Sequence, residues 1–118
     1  MALHEAGCDL GVTHTVLDDP PAHLMFLSGE AAFFHGGTER LDAAFAHVDA
    51  GRDLIVDVAD LEYCDAPFLN ALLGARTGHR LVIVGPLCAS LERRLDVTGT
   101  RGFFDIQPTI VAALARLG

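Results

Sequence analysis

Three short, strongly apolar runs punctuate the chain at Leu24–Leu27, Leu54–Val58 and Leu81–Val84, and the segments between them carry helical spacing. This alternation restricts the fold more than any other feature. Short runs rich in Val, Ile and Leu are strands covered on both faces. A helix between two strands is long enough for the crossover of about a dozen residues that parallel pairing needs. After the first run, Thr38 is a candidate cap for a helix with Leu41, Ala44, Phe45 and Val48 at i, i+3, i+4 and i+7, and Gly51 closes it. After the second, Asp65 is a candidate N-cap. Pro67 fits the first turn, and Phe68, Leu69, Leu72 and Leu73 form the inner face. After the third, Gly85-Pro86 ends the strand. Leu87, Leu91 and Leu95 then recur every four residues, with Arg93 and Arg94 outside and Gly99 as the stop signal.

The flanks complete the pattern. Leu10, Val12 and Val16 alternate with Gly11, Thr13 and Thr15 as in a half-buried strand, and Asp18-Asp19-Pro20-Pro21 forces a turn. Phe103–Ile106 is a short last strand, and Pro108 opens a final helix with Ile110, Val111, Leu114 and Leu117 inward. Residues 1–9 show no periodicity and are expected to form a loose tail, leaving 10–118 as a single domain. The order β-β-α-β-α-β-α-β-α predicts an α/β domain. Its sheet is mixed but mostly parallel, with four to five strands and about four helices mainly on one face. The functional loops are then expected at the carboxyl ends of the strands: Ser28–Thr38, Ala59–Pro67 and Gly85–Leu87.

Charge narrows the function. Acidic residues number 16 against 8 basic, a net charge of −8, and all the basic residues are Arg. No broad cationic patch is available for nucleic acid or an anionic membrane surface. A hydrophobic content of 51% hints at apolar surface kept for a partner. Cys8, Cys64 and Cys88 form no CxxC pair and are odd in number, which argues against a disulfide framework or zinc site and for a reducing, cytoplasmic setting. The start Met-Ala-Leu-His-Glu is not a secretory signal. The uncharged stretch Ala66–Ala75 is half of the ~20 residues a membrane span needs, and the longest, Leu81–Leu91, is only one residue longer.

Two stretches, in this order and spacing, resemble the STAS domain shared by bacterial anti-sigma factor antagonists and the tails of sulfate transporters. One is Leu54-Ile-Val-Asp-Val-Ala-Asp-Leu-Glu-Tyr-Cys-Asp. The other runs from Arg80-Leu-Val-Ile-Val-Gly-Pro through Leu91-Glu-Arg-Arg-Leu-Asp-Val-Thr-Gly-Thr to Phe103-Phe-Asp-Ile. The likeness covers the chain from about Leu10 to its end. It implies a non-catalytic protein-interaction module without a cofactor. Its partner would be an anti-sigma factor, a serine kinase-like protein or another STAS assembly, and a homodimer is open to it. The family's antagonists carry a Ser or Thr after the Asp that corresponds to Asp65, and a partner kinase phosphorylates it. Here that position is Ala66, followed by Pro67 and Phe68 in place of a small residue and glycine. The Asp that the family tends to carry after the second strand's glycine is also missing, with Gly29-Glu30-Ala31-Ala32 in its place. The resemblance therefore implies partner binding through Gly29, Glu30, Phe33, Asp65, Ala66, Pro67, Phe68 and Leu69, with no phosphorylation at the usual place.

Several residues carry two readings. Phe68 is either an exposed anchor, with Phe33 and Phe34 beside it, or a core aromatic filling the space glycine left. Cys64, near a helix N-terminus, is either a redox-sensitive thiol or a small buried hydrophobe. Asp57, Asp60 and Glu62 are solvated or structural carboxylates rather than a metal site. No triad or nucleotide loop is present, and Gly85-Pro86 alone is a weak phosphate cradle. Two alternatives stand beside the antagonist-like reading: a STAS subunit of a lipid-trafficking ABC transporter, and a small-ligand or redox-sensing domain.

Overall fold

A computed structural model describes residues 10–18, 21–32, 37–49 and 51–117. Five strands form one sheet in sequence order: β1 (Leu10–Asp18), β2 (Pro21–Ala31), β3 (Asp53–Cys64), β4 (Leu81–Val84) and β5 (Asp105–Gln107). β1 pairs antiparallel with β2, and every later pairing is parallel. Four helices connect or follow the strands among the described residues: α1 (Gly37–Ala46), α2 (Ala66–Gly78), α3 (Ala89–Thr98) and α4 (Ile110–Leu117). This is the mixed, mostly parallel α/β domain expected from the apolar runs.

The core is two-layered about the sheet. Leu41 and Ala44 of α1, Phe68, Leu69 and Leu72 of α2, and Leu91 and Leu95 of α3 pack with Met25, Leu27, Leu54, Val56 and Ile83. Among the described residues the opposite face is covered by α4, whose Ala113 and Leu117 meet Ala22, Leu24, Ile55, Val82 and Val84. Strands β3 and β4 are thus apolar on both sides, which is why they carry near-continuous Val, Ile and Leu.

Some expectations need correction. Val111 is 77% exposed rather than inward. Thr109 caps α4, its Oγ1 accepting the Ala112 N–H at 3.0 Å. The helix is therefore phased so that Ile110, Ala113, Leu114 and Leu117 share the inner face. The last strand begins at Asp105, because Arg101–Phe103 form a 3-10 turn. Leu87 precedes α3, although it packs against the same core. Thr38 lies inside α1 rather than before it. Gly51 follows the end of α1, in the turn into β3. The tail 1–9, with His4 and Cys8, lies outside the described residues.

The largest correction concerns β3, which continues to Cys64. Two register shifts against β2 make this possible, one between Phe26 and Ser28 and one between Gly29 and Glu30, where Gly29 takes φ 81°. Each bulge sets an extra β3 residue against β2. Asp57 supports the first bulge, its Oδ1 accepting the Ala59 N–H at 2.9 Å. Val58, Leu61 and Cys64 consequently face the core at a spacing of three. No alternating pattern announces such a strand.

A histidine pair, His23 buried and His14 exposed, ties β1 to β2. His14 Nδ1 and His23 Nε2 lie 2.7 Å apart, with the rings edge to face. Burial, and then the neighbouring His14, hold the His23 imidazole below its ordinary value of 6.5. The unfolded chain therefore takes up a proton at His23 more readily than the folded one. The contribution of His23 is complete above about pH 6.5 and is lost as pH falls through the lowered folded value. Denaturant midpoints should accordingly fall between about pH 7.5 and pH 5. His23→Gln should flatten that dependence, and an unchanged slope would refute the assignment.

Candidate functional site

The carboxyl ends of β2 and β3 and the amino end of α2 meet at one place. Ala31 pairs with Cys64, and its carbonyl accepts the Asp65 N–H at 3.2 Å, which fixes where β3 stops. Asp65 then leaves the extended region as the N-cap of α2, its Oδ1 accepting the Phe68 N–H at 3.4 Å. Ala66 is the first helical residue and is exposed; Pro67 follows, half-buried, where a missing N–H costs nothing. Removing the cap with Asp65→Ala should cost about 0.5–1 kcal/mol, the lower part of the range for such changes, because the bond is long. Urea unfolding of the variant measures it.

Beneath this junction the contacts are structural. The Cys64 N–H donates to Ser90 Oγ at 2.9 Å, and Arg94 Nε donates to the Cys64 carbonyl at 3.2 Å. The start of α3 thereby holds the end of β3. The Cys64 side chain is buried, and desolvation pushes its thiol up to about 12. Of the two readings of Cys64, this burial matches the small buried hydrophobe.

The residues expected to bind a partner divide by burial. Gly29, Glu30, Asp65, Ala66 and Pro67 border the junction surface, with Ala66 the exposed one. Phe68 is wholly buried and Leu69 is 4% exposed. The exposed-anchor reading of Phe68 is corrected: the third residue of α2 points at the sheet, and its ring fills core volume beside the helix. Phe33 and Phe34 lie outside the described residues. Among the described residues no group of three His, Cys, Asp or Glu side chains is placed to hold a metal ion. No described helix is long and apolar enough to cross a membrane.

A groove beside the junction was not apparent in the sequence. It has a volume of about 490 Å³ and is lined by Tyr63, Ser90, Arg93, Arg94, Val97 and Thr98, with Ala89 at one end. Ser90, Arg93, Arg94, Val97 and Thr98 follow i, i+3, i+4, i+7 and i+8 along one face of α3. Leu91 and Leu95 form the buried face. Glu92 and Asp96 occupy a third, where both engage Arg101. The available signal was this segregation of charge around one helix, visible only once its buried face is known.

This architecture has solved counterparts. The chain superposes on an anti-sigma factor antagonist from Mycobacterium paratuberculosis with a TM-score of 0.67 at 20% identity, over 90% of this chain and 93% of that one. The anti-sigma factor antagonist SpoIIAA in its unphosphorylated form gives 0.64 at 16% identity, over 91% and 97% of the two chains. The Bacillus cell fate determinant SpoIIAA in its phosphorylated form gives 0.64 at 15%, over 92% and 99%. No protein-family model and no curated protein sequence matches. The class is therefore set by shape: this is a STAS fold. More particularly, it is the fold of the anti-sigma factor antagonists.

Proposed function

We propose that the chain is a non-catalytic protein-interaction module. It docks a partner of the anti-sigma factor, serine kinase-like class on the surface where β2 and β3 end and α2 begins. Gly29, Glu30, Asp65, Ala66 and Pro67 border that surface; Phe33, also expected to take part, lies outside the described residues. The observation that carries the reading is Ala66. The structural counterparts include an antagonist solved with and without phosphate, and the position after the α2 cap, where a phosphorylatable residue is expected, carries an exposed methyl group. A phosphate there would gain from the helix N-terminus and add a charge of about −2 to the docking surface. A methyl group accepts no phosphoryl transfer, so the surface keeps one charge state and binds constitutively.

The test starts from proteins retained on the immobilised domain from the lysate of the organism that encodes it. An anti-sigma factor or kinase-like protein should be retained. With that kinase and ATP, the wild-type chain should take up no phosphate, whereas Ala66→Ser should take up one equivalent at residue 66. Stoichiometric phosphate on the wild-type protein, at Thr38 or Ser90 for example, would overturn the constitutive reading.

A further inference from the structure

We infer that the groove between Tyr63 and α3 is the seat of an acidic segment of the protein partner, one that sets carboxylates against Arg93 and Arg94 and an apolar side chain against Tyr63 and Val97. This rests on the interaction-module reading and specifies the partner's chemistry. The first argument is charge. On a chain of net charge −8, the acidic residues of α3 are both turned to Arg101, leaving Arg93 with no carboxylate partner among the described residues. Arg94 spends its Nε on the Cys64 carbonyl, and no described carboxylate neutralises its guanidinium. Two adjacent cations against an otherwise acidic molecule attract an anionic segment and repel a basic one.

The second argument is the apolar component. Val97 is 79% exposed and Tyr63 41%, and both line the same groove. A tyrosine beside two arginines that have no carboxylate partner among the described residues has the composition of a binding hot spot. The third is continuity. Tyr63 directly precedes Cys64, and Ser90 and Arg94 hold the Cys64 backbone, so the groove borders the docking surface proposed at residues 65–67.

The test titrates isotopically labelled full-length protein with a capped peptide, Gly-Glu-Glu-Leu-Gly-Glu-Leu-Gly, and with the same peptide carrying lysine for glutamate. The glutamate peptide should shift the amides of Tyr63, Ser90, Arg93, Arg94 and Val97 at low salt. Arg93→Glu should weaken it by about tenfold or more. Val97→Ser should weaken it less, and the lysine peptide should leave these amides unmoved. The Arg93 and Val97 side chains are exposed and make no hydrogen bond or ion pair among the described residues, so both variants should keep the wild-type melting temperature. Shifts that spread over the surface, occur equally with the lysine peptide or survive Arg93→Glu would overturn the inference. So would binding to phosphatidylglycerol vesicles without peptide binding. The two readings fail separately. A retained partner that is lost on Ala66→Glu but kept on Arg93→Glu removes the groove and leaves the module, whereas retention of no protein at all removes the module itself.

Discussion

Phe68→Ala should lower the unfolding free energy by about 3–5 kcal/mol, the range for truncating a fully buried aromatic residue. Phe68 has no exposed surface and belongs to the main core cluster with Leu10, Leu27, Leu72 and Leu91. Losing the ring removes its transfer energy and leaves a cavity that a close-packed interior fills only in part. Against a total stability of about 5–15 kcal/mol for a domain this size, the loss is severe, and the melting temperature should drop by roughly 10–20 °C. Phe68→Leu keeps most of the apolar volume and should cost about 1–2 kcal/mol. Urea unfolding of both variants decides the matter. A surface anchor would give changes within about 0.5 kcal/mol for either substitution and would show its effect in partner binding instead. The same physics disqualifies Phe68→Asp as a probe of docking, since it would bury an unpaired carboxylate and unfold the chain.

What the sequence conveyed, and what it withheld, follow from how each element is stabilised. Strand β4 is four residues buried on both faces, and the run Leu81–Val84 states this outright. The α2 cap was legible because Asp65, Pro67 and the Phe68/Leu69/Leu72 spacing are each local signals of one helix start. Likewise Gly99 adopts φ 69° at the end of α3, the left-handed turn that marks a glycine stop. The second half of β3 was hidden because bulges break the two-residue alternation, and a bulge is settled by the partner strand rather than by local sequence. Phe68 was ambiguous for a related reason. Apolar character at the third helical position is common to anchors and core residues, and only the direction in which α2 leaves the sheet separates them. The groove required more still, since Arg93 and Arg94 form a binding face only if Glu92 and Asp96 are taken up by a residue beyond the helix.

Ala66→Glu should abolish partner retention without destabilising the protein. Ala66 is exposed and is the first residue of α2. A carboxylate there faces the positive end of the helix macrodipole and should stabilise the fold by about 0.3–1 kcal/mol at low ionic strength. The melting temperature should therefore stay level or rise, which separates this variant from every core substitution. Binding should move the other way. A partner that presents carboxylates to Arg93 and Arg94 brings like charge towards residue 66. One close, partly desolvated pair at about 4 Å is worth ~4 kcal/mol at an effective dielectric near 20. Each ~1.4 kcal/mol is a tenfold change, so the dissociation constant should rise by about two to three orders of magnitude. Ala66→Gln matches the size without the charge and should lose far less, and raising the salt should recover part of the Glu defect while leaving the Gln variant nearly unchanged. Calorimetric titration of the retained partner against the three proteins measures all of this. Equal losses for Glu and Gln would mean that shape, and not charge, governs docking at the amino end of α2.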